Sequence, residues 1–388
     1  MQNPPSPVLL SASVMAHPRR VDAASRVLDS LDVLDARMAL DPRPDGPPSS
    51  LRASQVAFSH ATDADSTHHL VLQDDVRVSF DFAASVRRAV ERHPEAAISF
   101  FVEWGSRTAY LARWAVITGS GIVPVVNPYM PTLALVLPRA TAIDMARFMD
   151  TAPGRSDDRV ALRFLRERDV PTLAAVPNLV EHEELPSLKG NDDHGIRRSV
   201  CFAPEGARFD GPDLPLPSLL PFLRWSTGES VVIDTGNDFP EAHRPTLRVL
   251  TEWGARPEEL RRDCADHLGE DTGPLFELWL TAVALGAVQE RHWPGTVGRL
   301  RTRLDEPLLQ RALGTFAPGA LRVLLDPDAL SERSAELVPA LLTAMEHGSG
   351  LAASGPSRRG GSMAPPALGN IGYGDERTLL PPSCRDHP

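Results

Sequence analysis

Strand-type and helix-type segments alternate through the first 75 residues, and nothing else in the chain constrains its fold as tightly. VLLSASVMA (8–16) is short, apolar and β-tolerant, and it ends at His17-Pro18. RVDAASRVLDSLD (20–32) places apolar residues at helical spacing, and DARMALD (35–41) returns to strand character. PRPDGPPSS (42–50) is a loop, LRASQVAFSHATDAD (51–65) is again helical, and HHLVLQDDV (68–76) is a strand ending in acids. Strands joined through helices need the long crossover of parallel pairing. The order β-α-β-α-β therefore predicts an α/β fold, a Rossmann-like, mainly parallel sheet flanked by helices.

The pattern continues downstream. FDFAASVRRAVERHP (80–94) reads as a helix, AAISFFVEW (96–104) as a strand, and residues 131–150 as strand, turn and helix. DRVALRFLRERD (158–169) is a helix, followed by an extended stretch over 170–183. LPLPSLLPFL (214–223) is a Pro-punctuated linker or short strand, and VVIDTGND (231–238) is one further strand. Arg244 to His347 is mainly helical, and the Gly/Ser/Pro-rich run 348–388 is expected to be a flexible tail. Three parts follow: a catalytic domain over 1–210, a mostly helical extension over 211–347, and the tail.

Composition narrows the function. A net charge of −11 argues against a general nucleic-acid binder. Lys189 is the sole lysine among 40 basic residues, so wherever an anion is held, arginine is the expected partner. Cys201, Cys264 and Cys384 are far apart and share no metal-binding spacing. The first 20 residues have neither a basic leader nor a long apolar run, so the expectation is a cytoplasmic protein without a membrane span. There is no G-x-G-x-x-G after the first strand, no P-loop motif and no G-x-S-x-G elbow.

The acidic end of LVLQDDV carries the most chemistry. Carboxylates at the carboxyl end of a strand in an α/β sheet lie at the crevice where ligands bind. Adjacent side chains on a strand diverge, so Asp74 and Asp75 are expected to do different jobs. Mn²⁺ or Mg²⁺ is the natural counter-charge for such oxygen ligands. A solvated turn would also explain the pair.

Taken in order, VMAHPRR, ALD, HHLVLQDDVRVSFDF, DDRVALRFL and PNLVEHEELPSLKGN resemble the GT-A nucleotide-sugar glycosyltransferases, closest in pattern to glycosyltransferase family 25. The likeness covers roughly residues 8–205. In that family a strand ends in Glu-Asp-Asp, and here the triplet is Gln73-Asp74-Asp75, with one formal negative charge fewer. The resemblance implies that Asp75 coordinates the divalent cation bridging the donor's diphosphate. Asp74 would face the donor ribose or sugar, or assist at the metal, and His182 would be a third metal ligand or reach the diphosphate. The acidic pair Asp157-Asp158 opens a helix, where Asp suits N-capping. In the resemblance Asp158 is the better general base and Asp157 the better cap.

Other residues are candidates by position. His17, Arg19 and Arg20 follow the first strand and precede a helix, where a nucleotide's phosphates can lie against amides and guanidinium groups; a wet helix start is the plainer reading. Asp41, after the second strand, suits a ribose or base hydrogen bond, or is simply a loop Asp before Pro42. Lys189, with His194, Arg197 and Arg198, would meet leaving-group phosphate. Trp104-Gly105-Ser106-Arg107 and Asn127-Pro128-Tyr129 suit a sugar or other acceptor, or are packed turns. The expected partners are a nucleoside-diphosphate sugar and a saccharide or small natural-product acceptor, with the helical region shaping an acceptor pocket or a homodimer surface. A GT-A-like protein with lost or altered activity, and an unrelated metal-assisted phosphoryl-transfer or hydrolytic enzyme, are the alternatives.

Overall fold

In the computed structural model the first strand, β1 (Leu10–Ala16), alternates as a buried strand must, and its two faces have different chemistry. Ala12, Val14 and Ala16 join the main apolar core, whereas Ser11 and Ser13 hydrogen-bond to His69 and His60. The structure describes residues 7–31, 35–186, 188, 194–206, 211–235, 243–269 and 273–354. The chain forms two compact units, the first comprising Met1–Val102, Gly121–Asp192 and Phe202–Pro212, and the second the remainder.

The first unit begins with β1, α1 (Val21–Asp29), β2 (Asp35–Leu40), α2 (Ser50–Ser59), β3 (His68–Gln73), β4 (Val76–Val78), α3 (Phe82–Arg92) and β5 (Ala97–Ser99). Helix α4 (Arg107–Thr118) belongs to the second unit. The first then resumes with β6 (Ile122–Pro124), β7 (Ala134–Pro138), α5 (Arg139–Thr151), α6 (Asp157–Glu167), β8 (Thr172–Ala175) and β9 (Val180–His182).

Its central sheet has seven strands in the order β2-β1-β3-β7-β5-β8-β6. The pairings β1–β2, β1–β3 and β5–β8 are parallel, while β7 and β6 run against their neighbours. Five strands thus point one way and two the other, the mainly parallel α/β sheet expected from the alternation. Apolar faces of α1 and α3, through Val27, Val86 and Val90, pack on one side of this sheet with Val14, Leu72 and Phe100. Phe82 meets Phe100 edge to face at 6.2 Å.

One topological fact positions the site. After β1 the chain moves outward to β2, then returns across β1 to place β3 on its other side. The carboxyl ends of β1 and β3 therefore flank the point where strand order reverses, and the connections there diverge to leave a crevice.

The second unit contains α4, an antiparallel sheet of β10 (Leu219–Arg224), β11 (Glu229–Asp234) and β12 (Arg244–Pro245), and the helices α7 (Thr246–Glu252), α8 (Pro257–Leu268), α9 (Pro274–His292), α10 (Pro307–Gly314), α11 (Phe316–Leu321), α12 (Pro327–Glu332) and α13 (Ser334–Ser354). Residues 348–354, expected in a flexible tail, complete α13; the rest of that tail lies outside the described residues. The strand expected over 96–104 is confined to Ala97–Ser99. No helix among the described residues is long and apolar enough to cross a membrane.

Candidate functional site

Three connections bring the site together. The loop after β1 tightens into a 3-10 turn over Pro18–Arg20, with Pro at its start and the His17 ring capping it. Nδ1 of His17 accepts from the Arg19 N–H at 3.1 Å, and Nε2 lies 3.2 Å from the Pro44 carbonyl. The His17 backbone N–H points to Asp74 Oδ2 at 3.4 Å. This turn aims Arg20 across the crevice at the end of β3.

There a single guanidinium nitrogen of Arg20 donates to Asp74 Oδ1 and to Asp75 Oδ2, each at 3.1 Å. Its other terminal nitrogen donates to the Pro186 carbonyl. His182 arrives by a different route, on β9, which pairs with β4 so that His182 stands opposite Val76. The Glu183 N–H extends that pairing to the Asp75 carbonyl at 2.7 Å. His182 Nε2 consequently lies 3.6 Å from Asp75 Oδ2, while its buried Nδ1 has no hydrogen-bond partner among the described residues.

Burial is the larger influence on Asp74, reinforced by the neighbouring Asp75 charge, and together they raise its pKa to about 6 against the pull of Arg20. Gln73 does not join the pair: its amide donates to the Thr132 hydroxyl at 3.2 Å.

Asp41 has an internal partner that no local pattern foretells. Arg52 on α2 grips both carboxylate oxygens, Nε at 2.8 Å and a terminal nitrogen at 2.7 Å, and the Arg43 N–H adds a third bond at 2.9 Å. Burial works to raise the Asp41 pKa, but these bonds hold it below the ordinary carboxylate value. Arg19 is exposed beside this crevice.

At the start of α6, Asp157 is buried, and its carboxylate accepts from the Ser50 hydroxyl at the start of α2. Asp158 is only half-buried; it accepts from the Ser156 hydroxyl and from the Arg159 N–H at 2.6 Å. Its carbonyl holds the Met130 N–H at 3.1 Å, and Leu133 farther along the same segment binds the Gln73 N–H at 3.0 Å. The start of α6 thus stands at the same end of the sheet as Asp74.

The remaining candidates are elsewhere. Lys189 lies outside the described residues, and His194, Arg197 and Arg198 belong to the second unit. So does Trp104-Gly105-Ser106-Arg107, which is a packed junction. The Trp104 indole N–H donates to the Ile196 carbonyl at 3.0 Å, and Glu103 forms a buried 2.7 Å ion pair with Arg322. Asn127 is fully buried in the first unit.

Asp74, Asp75 and His182 are of the residue types that bind divalent cations, but here the Arg20 guanidinium bonds to both carboxylates. Among the described residues no three His, Cys, Asp or Glu side chains are grouped to hold a metal ion. What the fold and site define is an α/β protein with an acidic crevice at its topological switch point. No protein-family model matches the chain, and no curated protein matches it in sequence.

Proposed function

We propose that this chain is a GT-A-type glycosyltransferase that moves a sugar from a nucleoside diphosphate to a hydroxyl of a saccharide or small natural product. One observation carries the reading. At the switch point between β1 and β3, a carboxylate pair, an imidazole and an arginine from the first βα turn converge on one small volume. Nucleotides bind in such crevices, and a cation-demanding carboxylate pair suits a donor whose leaving group is anionic.

Asp75, Asp74 and His182 would hold Mn²⁺ or Mg²⁺, whose charge would offset that of the diphosphate. The protein's own residues do the rest. The exposed guanidinium of Arg19 offers the phosphates a charge-assisted hydrogen bond. Asp158 takes the acceptor hydroxyl's proton as that oxygen attacks the anomeric carbon, which inverts as its bond to diphosphate breaks. Asp157, committed to Ser50, fixes the helix start from which Asp158 projects.

Calorimetric titration of nucleoside diphosphates with and without Mn²⁺ tests this directly. Binding should require Mn²⁺ and vanish in Asp75→Ala while the circular dichroism stays unchanged. Failure of every nucleoside diphosphate to bind the unaltered protein would overturn the reading.

A further inference from the structure

Arg113, on α4 in the second unit, is a buried cation with no ion pair among the described residues. It is 3% exposed, and its hydrogen-bond partners are neutral oxygens. Nε donates to the Ala312 carbonyl and Nη2 to those of Trp104 and Thr315, while the buried Nη1 has no partner among the described residues. The ring centroids of Tyr110 and Phe316 lie 5.5 and 4.8 Å from its Cζ. Burial lowers the pKa only to about 10, so the group is charged at neutral pH. A charge in such a place is strongly penalised unless a counter-charge meets it.

The titratable neighbours supply none. Glu103 Oε1 is committed to Arg322 at 2.7 Å and to the Gly105 N–H at 2.8 Å, so those two charges cancel and that of Arg113 is left over. Tyr110 stays protonated, its pKa pushed up to about 12 chiefly by burial. The remaining group acting on the guanidinium is the Cys201 thiol.

A second unpaired donor lies at the amino end of α4. Ser106, its N-cap, is 4% exposed, yet its side chain makes no capping bond and its buried Oγ has no partner among the described residues. Arg113 reaches this end of the helix, because the Trp104 carbonyl that it holds is two residues before the cap. The amino end of a 12-residue helix adds positive potential of its own.

We propose that Arg113 Nη1 and Ser106 Oγ, at the amino end of α4, hold a small inorganic anion, chloride. One surplus positive charge calls for one negative charge. Two donors suit a single-atom ion, whereas phosphate or sulfate would bring more charge and more oxygens than they can satisfy.

The test is thermal unfolding of the full chain in chloride against gluconate at matched ionic strength, with crystals grown in bromide. Chloride at roughly ten times its Kd should raise Tm by about 1–3 °C, and an anomalous bromide peak should lie within hydrogen-bonding distance of Nη1. Arg113→Met should lose the chloride effect; an undiminished effect there places the ion elsewhere and overturns the proposal. Should that variant fail to fold, Ser106→Ala decides: chloride affinity should fall several-fold, and unchanged affinity overturns the proposal. Equal melting in chloride and gluconate overturns it too, even with a bromide peak, which would then be an adventitious ion only. Cys201→Ala should keep the chloride effect; an effect that appears only in that variant makes the thiolate the counter-charge and overturns the proposal.

Discussion

Asp157 and Asp158 are neighbours in sequence with opposite surroundings, and mutation should separate them. Asp158→Asn should leave donor affinity intact and lower turnover roughly 10²–10⁴-fold, the usual loss when a general base is removed. Asp157→Ala should instead lower stability by roughly 1.5–3 kcal/mol, because a hydrogen bond to a buried charged group is lost. Donor titration, transfer rate and urea unfolding on both variants check this; full transfer in Asp158→Asn would move the base elsewhere. At this scale the acids were legible in sequence, because a strand's carboxyl end is a place defined by local pattern. Their partners were not. Arg20 reads as a phosphate ligand and Arg52 has no assigned role, since an ion pair between residues 11 or 54 positions apart depends on how the strands are ordered. His182 could be proposed as a candidate, but its approach to Asp75 depends on the β4–β9 ladder, whose three-residue strands are too short to show periodicity.

Helices with one wet face were readable, and α4, which has none, was not. Apolar spacing locates α1, α3 and α6, whose outer faces carry arginines. In α4 every residue from Arg107 to Ile117 is buried, so no polar stripe betrays it. Its one internal cation, Arg113, donates through Nε and one terminal nitrogen to the carbonyls of Trp104, Ala312 and Thr315, each at 3.0 Å, while its other terminal nitrogen has no partner among the described residues. Burial lowers that arginine's pKa to about 10. The pair α9 and α13 makes a sharper point. A Cβ at Gly286 would overlap the Met345 carbonyl, and one at Gly348 would overlap the Val283 carbonyl. Each glycine therefore lets the two backbones touch. Gly286→Ala should destabilise the protein by roughly 1–3 kcal/mol as an overpacking change, despite alanine's better helix propensity. Gly350, on the same helix, faces open space, and Gly350→Ala should instead stabilise by up to about 1 kcal/mol. Urea unfolding of the two variants checks the contrast, and equal effects would contradict the close approach.

Across the whole molecule, buried histidines should govern the response to acid. Burial lowers the His69 pKa to about 4, outweighing its bond to the Ala57 carbonyl, and burial lowers those of His60 and His68 as well. An unfolded chain takes up these protons near pH 6.5, whereas folded His69 refuses its proton until about pH 4. The stability contributed is therefore whole above pH 6.5 and is lost as pH falls toward 4. Asp74, raised to about 6, acts with the opposite sign between its unfolded value and that pH, and so blunts the fall. His69→Gln should be less stable at pH 7 and show a shallower decline on acidification; unfolding curves parallel to the unaltered protein's would refute the assignment. The division into two units has a consequence for biosynthesis. The ribosome delivers β1, β2 and β3 early, but β7, their next neighbour in the sheet, follows only after α4 has emerged. During that interval β3 has an open edge and α4 an uncovered apolar surface. Slow, non-local pairing of this kind is where nascent chains aggregate. A gene shortened near codon 210 would prolong the exposure of α4 indefinitely, since its unit is completed by residues encoded farther on.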